Sequence, residues 1–233
     1  MSIFRFKEFS IIQDRSAMKV GTDAMVLGSL VDLDLKGKCL EIGTGTGVIS
    51  LMLLQRSPEL FITAIDIDYE SSEEAIQNFS NSPWSSRVNG INCDFLNYSF
   101  DTKFDLIVTN PPYFENGLLN NSKRKAATRH EDSLPLLNLF EKSSSLLSDK
   151  GNFWLILPFE TASKWKDVSK DFDLFCKEEV TIFGKPNSPK RIVFCFSKEE
   201  VECIQKDLII RNSDNTYTDQ YKLLTFDFHG VKL

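Results

Sequence analysis

The sequence predicts an α/β fold built on a mostly parallel, doubly wound sheet with helices on both faces. Three observations carry that expectation. Apolar runs occupy 38–43, 61–66, 88–94, 104–110, 152–158 and 191–197. Helical spacing separates the first three: Ile49, Met52 and Leu53 share one face, and Tyr69, Ala75, Ile76 and Phe79 another. The residues with conspicuous chemistry directly follow strands, where such sheets bind ligands.

In chain order, the segment from Phe4 to Gln13 alternates apolar and polar residues and reads as a strand or hairpin outside the main alternation. The first run ends in a glycine loop, the second at Asp66, the third at Asp94 and the fourth at Asn110. Residues 115–133 form a long, polar, cationic stretch without periodicity; a loop of that length is usually functional or mobile. The last two runs complete the alternation. A short strand around Leu208–Arg211 and polar turn residues follow. The chain reads as one domain: residues 1–30 an N-terminal extension contributing to the cofactor site, 31–200 the core, and 201–233 a C-terminal strand and tail.

The 233 residues, 42% of them hydrophobic and 19 of them Phe, suit a folded globular protein. No apolar run reaches the ~18 residues of a membrane span, and the first residues lack a secretory signal pattern. The five cysteines are odd in number and none sits at C-x-x-C spacing, so reduced core cysteines, no metal and a cytoplasmic location are expected. The net charge of −6 counts against general nucleic-acid affinity but permits a local basic patch.

Glu41, Gly43, Gly45 and Gly47 alternate with Ile42, Thr44 and Thr46 between the first strand and a helix. Glycines permit a sharp turn and close approach of backbone to ligand. A dinucleotide fingerprint would need Gly or Ala where Val48 stands. The acidic form resembles the class I methyltransferase loop for S-adenosylmethionine. Asp66, followed by Ile67, can accept hydrogen bonds from both ribose hydroxyls of a nucleoside. Asp68 reads as a solvated helix start. In the resemblance Asp94 reaches the cofactor's adenine amino group and Phe95 lines its ring pocket; a helix N-cap is the alternative for Asp94.

Asn110, Pro111, Pro112 and Tyr113 end the fourth strand and are the most specific signal in the chain. An adenine amino nitrogen is a poor nucleophile, and two acceptors around it stabilise the charge that develops during methylation. The Asn110 side-chain oxygen is one acceptor and the Pro111 carbonyl the other, aimed by the fixed φ of two prolines. Tyr113 can stack on the base. No strong general base is required, and His130 and His229 are read as non-catalytic.

Further segments match one family. They are Phe4–Phe9, Asp14–Arg15 with Ala17–Asp23, Asn81–Trp84 with Arg87, and Leu208–Arg211 with Tyr217 and Tyr221. Together they resemble, nearly end to end, the bacterial tRNA1(Val) adenine-N6 methyltransferase family. That resemblance implies a Rossmann-like class I methyltransferase with a seven-stranded sheet, S-adenosylmethionine as cofactor, and the adenosine at tRNA position 37, in the anticodon loop, as substrate. It also places Lys19, Thr22 and Asp23 at the methionine end of the cofactor.

Lys123, Arg124, Lys125 and Arg129 form a cationic stretch soon after Tyr113, suited to RNA phosphates. Arg5, Lys7, Arg15 and Lys19 form a second candidate cluster, and Lys185, Lys190 and Arg191 a third; a solvated surface is the alternative for each. The sequence leaves oligomeric state open, a monomer sufficing. Rival readings are a release-factor glutamine-N5 methyltransferase, a guanine-N2 rRNA methyltransferase, and a non-enzymatic RNA-binding protein with a relict pocket.

Overall fold

The computed structural model describes residues 2–33, 37–111 and 134–229. It opens with an antiparallel hairpin, β1 (Ile3–Arg5) and β2 (Ser10–Ile12), followed by helix α1 (Thr22–Leu30). Strands and helices then alternate: β3 (Gly37–Ile42), α2 (Val48–Arg56), β4 (Leu60–Asp66), α3 (Tyr69–Ser80), β5 (Val88–Asn92) and β6 (Phe104–Thr109). Next come α4 (Leu134–Leu146), β7 (Leu147–Pro158), α5 (Phe159–Val168), β8 (Phe175–Lys185), β9 (Ser188–Ser197), β10 (Ile204–Ile209) and α6 (Asp219–Leu224).

The main sheet has the order β10-β8-β9-β7-β6-β3-β4-β5, and every neighbouring pair is parallel except the two that include β9. It therefore has eight strands rather than the seven expected. The strand that was not expected is β8; β10, the strand expected in the tail, pairs with it in parallel. No apolar run announces β8 itself, because Lys177, Glu178 and Glu179 interrupt it. It is set instead by β9 across a two-residue turn, where Asn187 takes φ 61°.

Alternate residues of the strands feed two cores. Cys39, Trp154, Ile156 and Val193 pack with α1, α2 and the N-terminal hairpin. Leu40, Ile42, Phe153, Leu155 and Phe194 pack with α4 and α5. Helix α2 is buried almost all round, from Val48 to Leu54. Helix α3 buries Ala75 and Phe79 as expected, but Tyr69 is 60% exposed and the polar Ser71, Ser72, Glu74 and Asn78 are buried. Helix α1 is also part of the layered core, with residues 24–29 buried, although it falls inside the stretch read as an extension.

Successive strands run outward on either side of β3, towards β4 and β5 one way and β6 and β7 the other. The crevice at the carboxyl ends of β3 and β6 is thus the switch point where open α/β sheets bind ligands.

Candidate active site

A cavity of about 750 Å³ opens at that switch point. Its floor is the glycine loop. The Gly43 and Thr44 amides both donate to the Ile65 carbonyl at 2.9 Å, and the Gly45 amide donates to Asp66 Oδ2 at 2.8 Å. The loop turns into α2 at Gly47, with φ 81°; a Cβ there would lie 2.4 Å from the Phe79 ring. Only glycine meets both demands.

Gly43, Thr44, Gly45, Asp66 and Ile67 line the cavity, whereas Gly47 and Glu41 do not. Glu41 lies beneath the loop. Its Oε2 accepts from Thr44 Oγ1 at 2.7 Å, from the Ser50 amide at 3.1 Å and from the Ser50 hydroxyl. It braces the loop against α2. Burial pushes its carboxyl up to about 7, with the Ser50 and Thr44 hydrogen bonds pulling the other way. Asp66 is also raised, chiefly by burial; amide donation from Asp68 and Gly45 opposes this. Asp68 caps α3, accepting from the Ser71 amide at 2.9 Å.

One wall is the segment between β2 and α1, which supplies Ser16 and Lys19, with the first turn of α1, which supplies Thr22 and Asp23. Two buried side chains of α3 hold the approach to it. Glu74 accepts from the amides of Asp14, Arg15 and Ser16 at 2.7, 2.8 and 3.0 Å. Asn78 exchanges hydrogen bonds with the Ile12 backbone and donates to the Thr46 carbonyl, joining hairpin to glycine loop. Asp23 is held by Arg191 of β9, Nε to Oδ2 at 2.9 Å. Sequence reading named neither Glu74 nor Asn78, and it placed Arg191 only in a surface cluster.

The opposite side is made by the ends of β5 and β6 and by α4. Thr109 pairs with Ile42, and its hydroxyl donates to the Ile42 carbonyl at 2.8 Å, so β6 delivers Asn110 and Pro111 to the cavity beside the glycine loop. Asp94 and Phe95 also line it. Asp94 accepts from the Leu96 amide at 2.9 Å and from the Asn97 side chain, so it caps a turn as well as facing the cavity. Leu136 and Leu139 of α4 were not foreseen as lining. Lys142, also of α4, donates to the Leu96 and Tyr98 carbonyls at 3.0 and 2.7 Å, with its ammonium 5.2 Å from the Phe95 ring centre.

Pro112, Tyr113, Lys123, Arg124, Lys125 and Arg129 lie outside the described residues, as does His130. Of the second cationic cluster, Arg5 and Lys7 border a groove of about 770 Å³ beside the hairpin. Lys7 also donates to the Phe226 carbonyl, its ammonium 3.9 Å from that ring centre. Arg15 is partly occupied by Gln77 at 3.1 Å and Glu70 at 3.8 Å. His229 does not line the cavity; it is bridged to Phe6, and burial lowers its pKa.

Comparison with known proteins agrees with this architecture. A predicted O-methyltransferase from Agrobacterium tumefaciens superposes with a TM-score of 0.70 over 88% of this chain and 96% of its own, at 18% identity, which speaks to the fold alone. A tRNA1(Val) (adenine(37)-N6)-methyltransferase of Bacteroides thetaiotaomicron is 36% identical over 97% of this chain and 96% of its own. One of the same name from Trichodesmium erythraeum is 41% identical over 97% of each. Residues 15–164 match the methyltransferase small domain family. The chain belongs to that family and, within it, to the family of the tRNA1(Val) (adenine(37)-N6)-methyltransferases.

Proposed function

We propose that the chain transfers a methyl group from S-adenosylmethionine to the exocyclic N6 of an adenine in tRNA, adenosine 37 of tRNA1(Val). One observation carries the reading: Asn110 and Pro111 open on the same cavity as the glycine loop and Asp66.

The residues present fit the cofactor. The cavity falls in the roughly 300–1,000 Å³ range of cofactor sites. Ile65, Ile67 and Phe95 offer apolar surface for a flat ring, and Asp66 a carboxylate for vicinal hydroxyls. Lys19 and Asp23, the latter fixed by Arg191, are suited to a carboxylate and an ammonium. When bound, S-adenosylmethionine supplies a methyl group on a positively charged sulfur.

The chain's own part is to hold and polarise the amino group. The Asn110 oxygen and the Pro111 carbonyl accept its two N–H bonds, which orients the nitrogen and stabilises the positive charge that grows there. Once methylated, the nitrogen is acidic enough to lose its proton to solvent. Tyr113 supplies a stacking face for the base, and Lys123, Arg124, Lys125 and Arg129 neutralise phosphates, with Arg5, Lys7 and Arg15 as a second cationic surface. A loop adenine costs less to splay into a cavity than a paired one. Among the described residues no helix is long and apolar enough to cross a membrane. We place the protein in the cytoplasm with its tRNA, acting as one domain.

Nucleoside mass spectrometry of tRNA from cells lacking the protein should show N6-methyladenosine lost at the target position and restored by reintroduction. Calorimetry should show S-adenosylmethionine binding and NADH not binding. Asp66→Ala should weaken the former about tenfold or more, as expected for hydrogen bonds to a charged group. A lost guanine-N2 or protein glutamine methyl group instead would replace the adenine reading.

A further inference from the structure

At the β10 edge of the sheet, well away in strand order from β3 and β6, two sulfurs meet. Cys176 Sγ and Cys203 Sγ are 3.1 Å apart. Cys176 lies near the start of β8. Cys203 immediately precedes β10, and the pairing of Ile204 with Glu178 brings the two strands into register there. Cys176 is buried and Cys203 half-buried. From α5, Lys166 reaches the same spot, donating to Glu179 Oε2 at 2.6 Å and acting electrostatically on both sulfurs.

This is not the setting of an inert core thiol. Burial pushes up the thiols of both Cys39 and Cys176, but Cys176 differs in having a half-buried second sulfur against it. Reactive cysteines are partly exposed and have a cation nearby that favours the thiolate. Cys203 is half-buried, has a second sulfur beside it, and lies by the Lys166–Glu179 pair. Joining the sulfurs at the ~2.05 Å disulfide length needs about 1 Å of approach.

We propose that Cys176 and Cys203 are a modification site, a thiol pair that small-molecule disulfides oxidise reversibly to an intramolecular disulfide. The more accessible Cys203 reacts first. Its thiolate, having lost its proton to solvent, attacks one sulfur of the oxidant RS–SR, forming a mixed disulfide and expelling one RS⁻, which takes up a proton. Cys176 then loses its proton and attacks the Cys203 sulfur, expelling the second RS⁻, again protonated on leaving. Two protein thiols and RS–SR become one protein disulfide and two RSH, and excess dithiol runs the exchange backwards.

A metal is the rival occupant, since Cys176, Cys203 and Glu179 place ligand atoms within 4.8 Å of one another. Two thiolates on a tetrahedral zinc at 2.3 Å would sit roughly 3.8 Å apart, so these sulfurs would have to separate. Lys166 already holds the Glu179 carboxylate. Both features favour the covalent pair.

The crosslink would staple an edge strand that is exposed from Ile204 to Asp207. Beyond β10 the chain returns to α6, which packs on α1 at the cavity wall. The modification therefore restrains the route from the sheet edge to that wall.

The test treats reduced full-length protein with oxidised glutathione, followed by intact-mass and peptide mapping. The expected product has lost two hydrogens, joins the peptides of Cys176 and Cys203, is reversed by dithiothreitol, and melts about 3–6 °C higher. Cys203→Ser should stay reduced at this site. Cys176→Ala should stop at a mixed disulfide on Cys203, which needs no intact buried pair to be read. Failure to crosslink, a crosslink through Cys39, Cys93 or Cys195, or a stoichiometric zinc ion that blocks oxidation would each overturn the proposal. None of these readouts depends on methyl transfer.

Discussion

Strands β3 to β6 and strands β7 to β10 share one sheet and use their carboxyl ends differently. The first four are mutually parallel, and each of their ends delivers a residue to the cavity: Gly43 after β3, Ile67 after β4, Asp94 after β5 and Asn110 after β6. In the second half, β8 and β9 form a hairpin and β9 runs back along β7, so strand ends go into turns. That half carries the densest aromatic packing instead: Phe153, Trp154, Phe194 and Phe196 are at most 1% exposed. It reaches the cavity wall through Arg191, which holds Asp23. Parallel strands leave their ends free for chemistry, and antiparallel pairing consumes them for stability.

The largest expected effect tests the chemical half. Asn110→Ala should leave cofactor affinity and melting temperature nearly unchanged while single-turnover methyl transfer to unmodified tRNA falls on the order of a hundredfold or more. Transfer at the wild-type rate would mean that Asn110 does not stabilise the reacting amino group. The mirror experiment is Phe194→Ala, which should cost about 3–5 kcal/mol of stability. Denaturant titration measures that loss, and the protein that remains folded should keep its single-turnover rate. A large drop in that rate would show that the two halves are not separable.

Glu41→Gln probes the border between them. Glu41's folded pKa is raised from 4.5 to about 7 by burial. The native state therefore holds a proton that the unfolded chain releases near its ordinary carboxylate pKa. Its favourable contribution is complete at pH below about 4.5 and is lost as pH rises through about 7, by on the order of 3 kcal/mol at most. The Gln variant should flatten that part of the stability–pH curve. An unchanged curve would place the titration elsewhere.

The smallest effect concerns the surface. Removing Arg5 and Lys7 together should reduce the log–log salt slope of tRNA binding by roughly 0.7–0.9 for each phosphate they neutralise, with cofactor binding untouched. An unaltered slope would assign the groove beside the hairpin to a solvated face.

The chemical half was largely legible in the sequence because its signals are local. A glycine loop and an Asn-Pro step each fit within a few consecutive residues at the end of an apolar strand. What escaped depends on partners distant in sequence. Glu74 and Asn78 fall within a run of polar residues that looks like a solvated helix face, and the backbone of residues 12–16 and of Thr46 gives them a buried role. Arg191 and Asp23 are 168 positions apart, beyond any local pattern. Strand β8 was hidden because its sequence shows charges where its neighbours supply the order. The expected apolar face of α3 is buried at Ala75 and Phe79, and polar residues are buried beside it because the helix packs against hydrogen-bonding backbone as well as against the core.

The two ends of the described chain meet. Phe6 bridges to His229, and the Lys7 amide donates to the Phe228 carbonyl at 3.1 Å. Phe6 and Phe9 stack at 4.3 Å, and Phe228 sits edge-on to Phe6 at 6.5 Å. Translation delivers Phe6 long before Phe228. While the ribosome is still building β7 to β10, the hairpin that leads into the cavity wall lacks its companion, and Phe6 stays without the Phe228 ring. Closing so long a loop is slow relative to local pairing. The glycine loop can form as soon as β3, β4 and α3 are out, yet the hairpin reaches its final packing only after residue 229 has emerged. A nascent chain thus gains the loop early, and the docked hairpin, with its approach to the cavity, only once Phe228 and His229 have emerged.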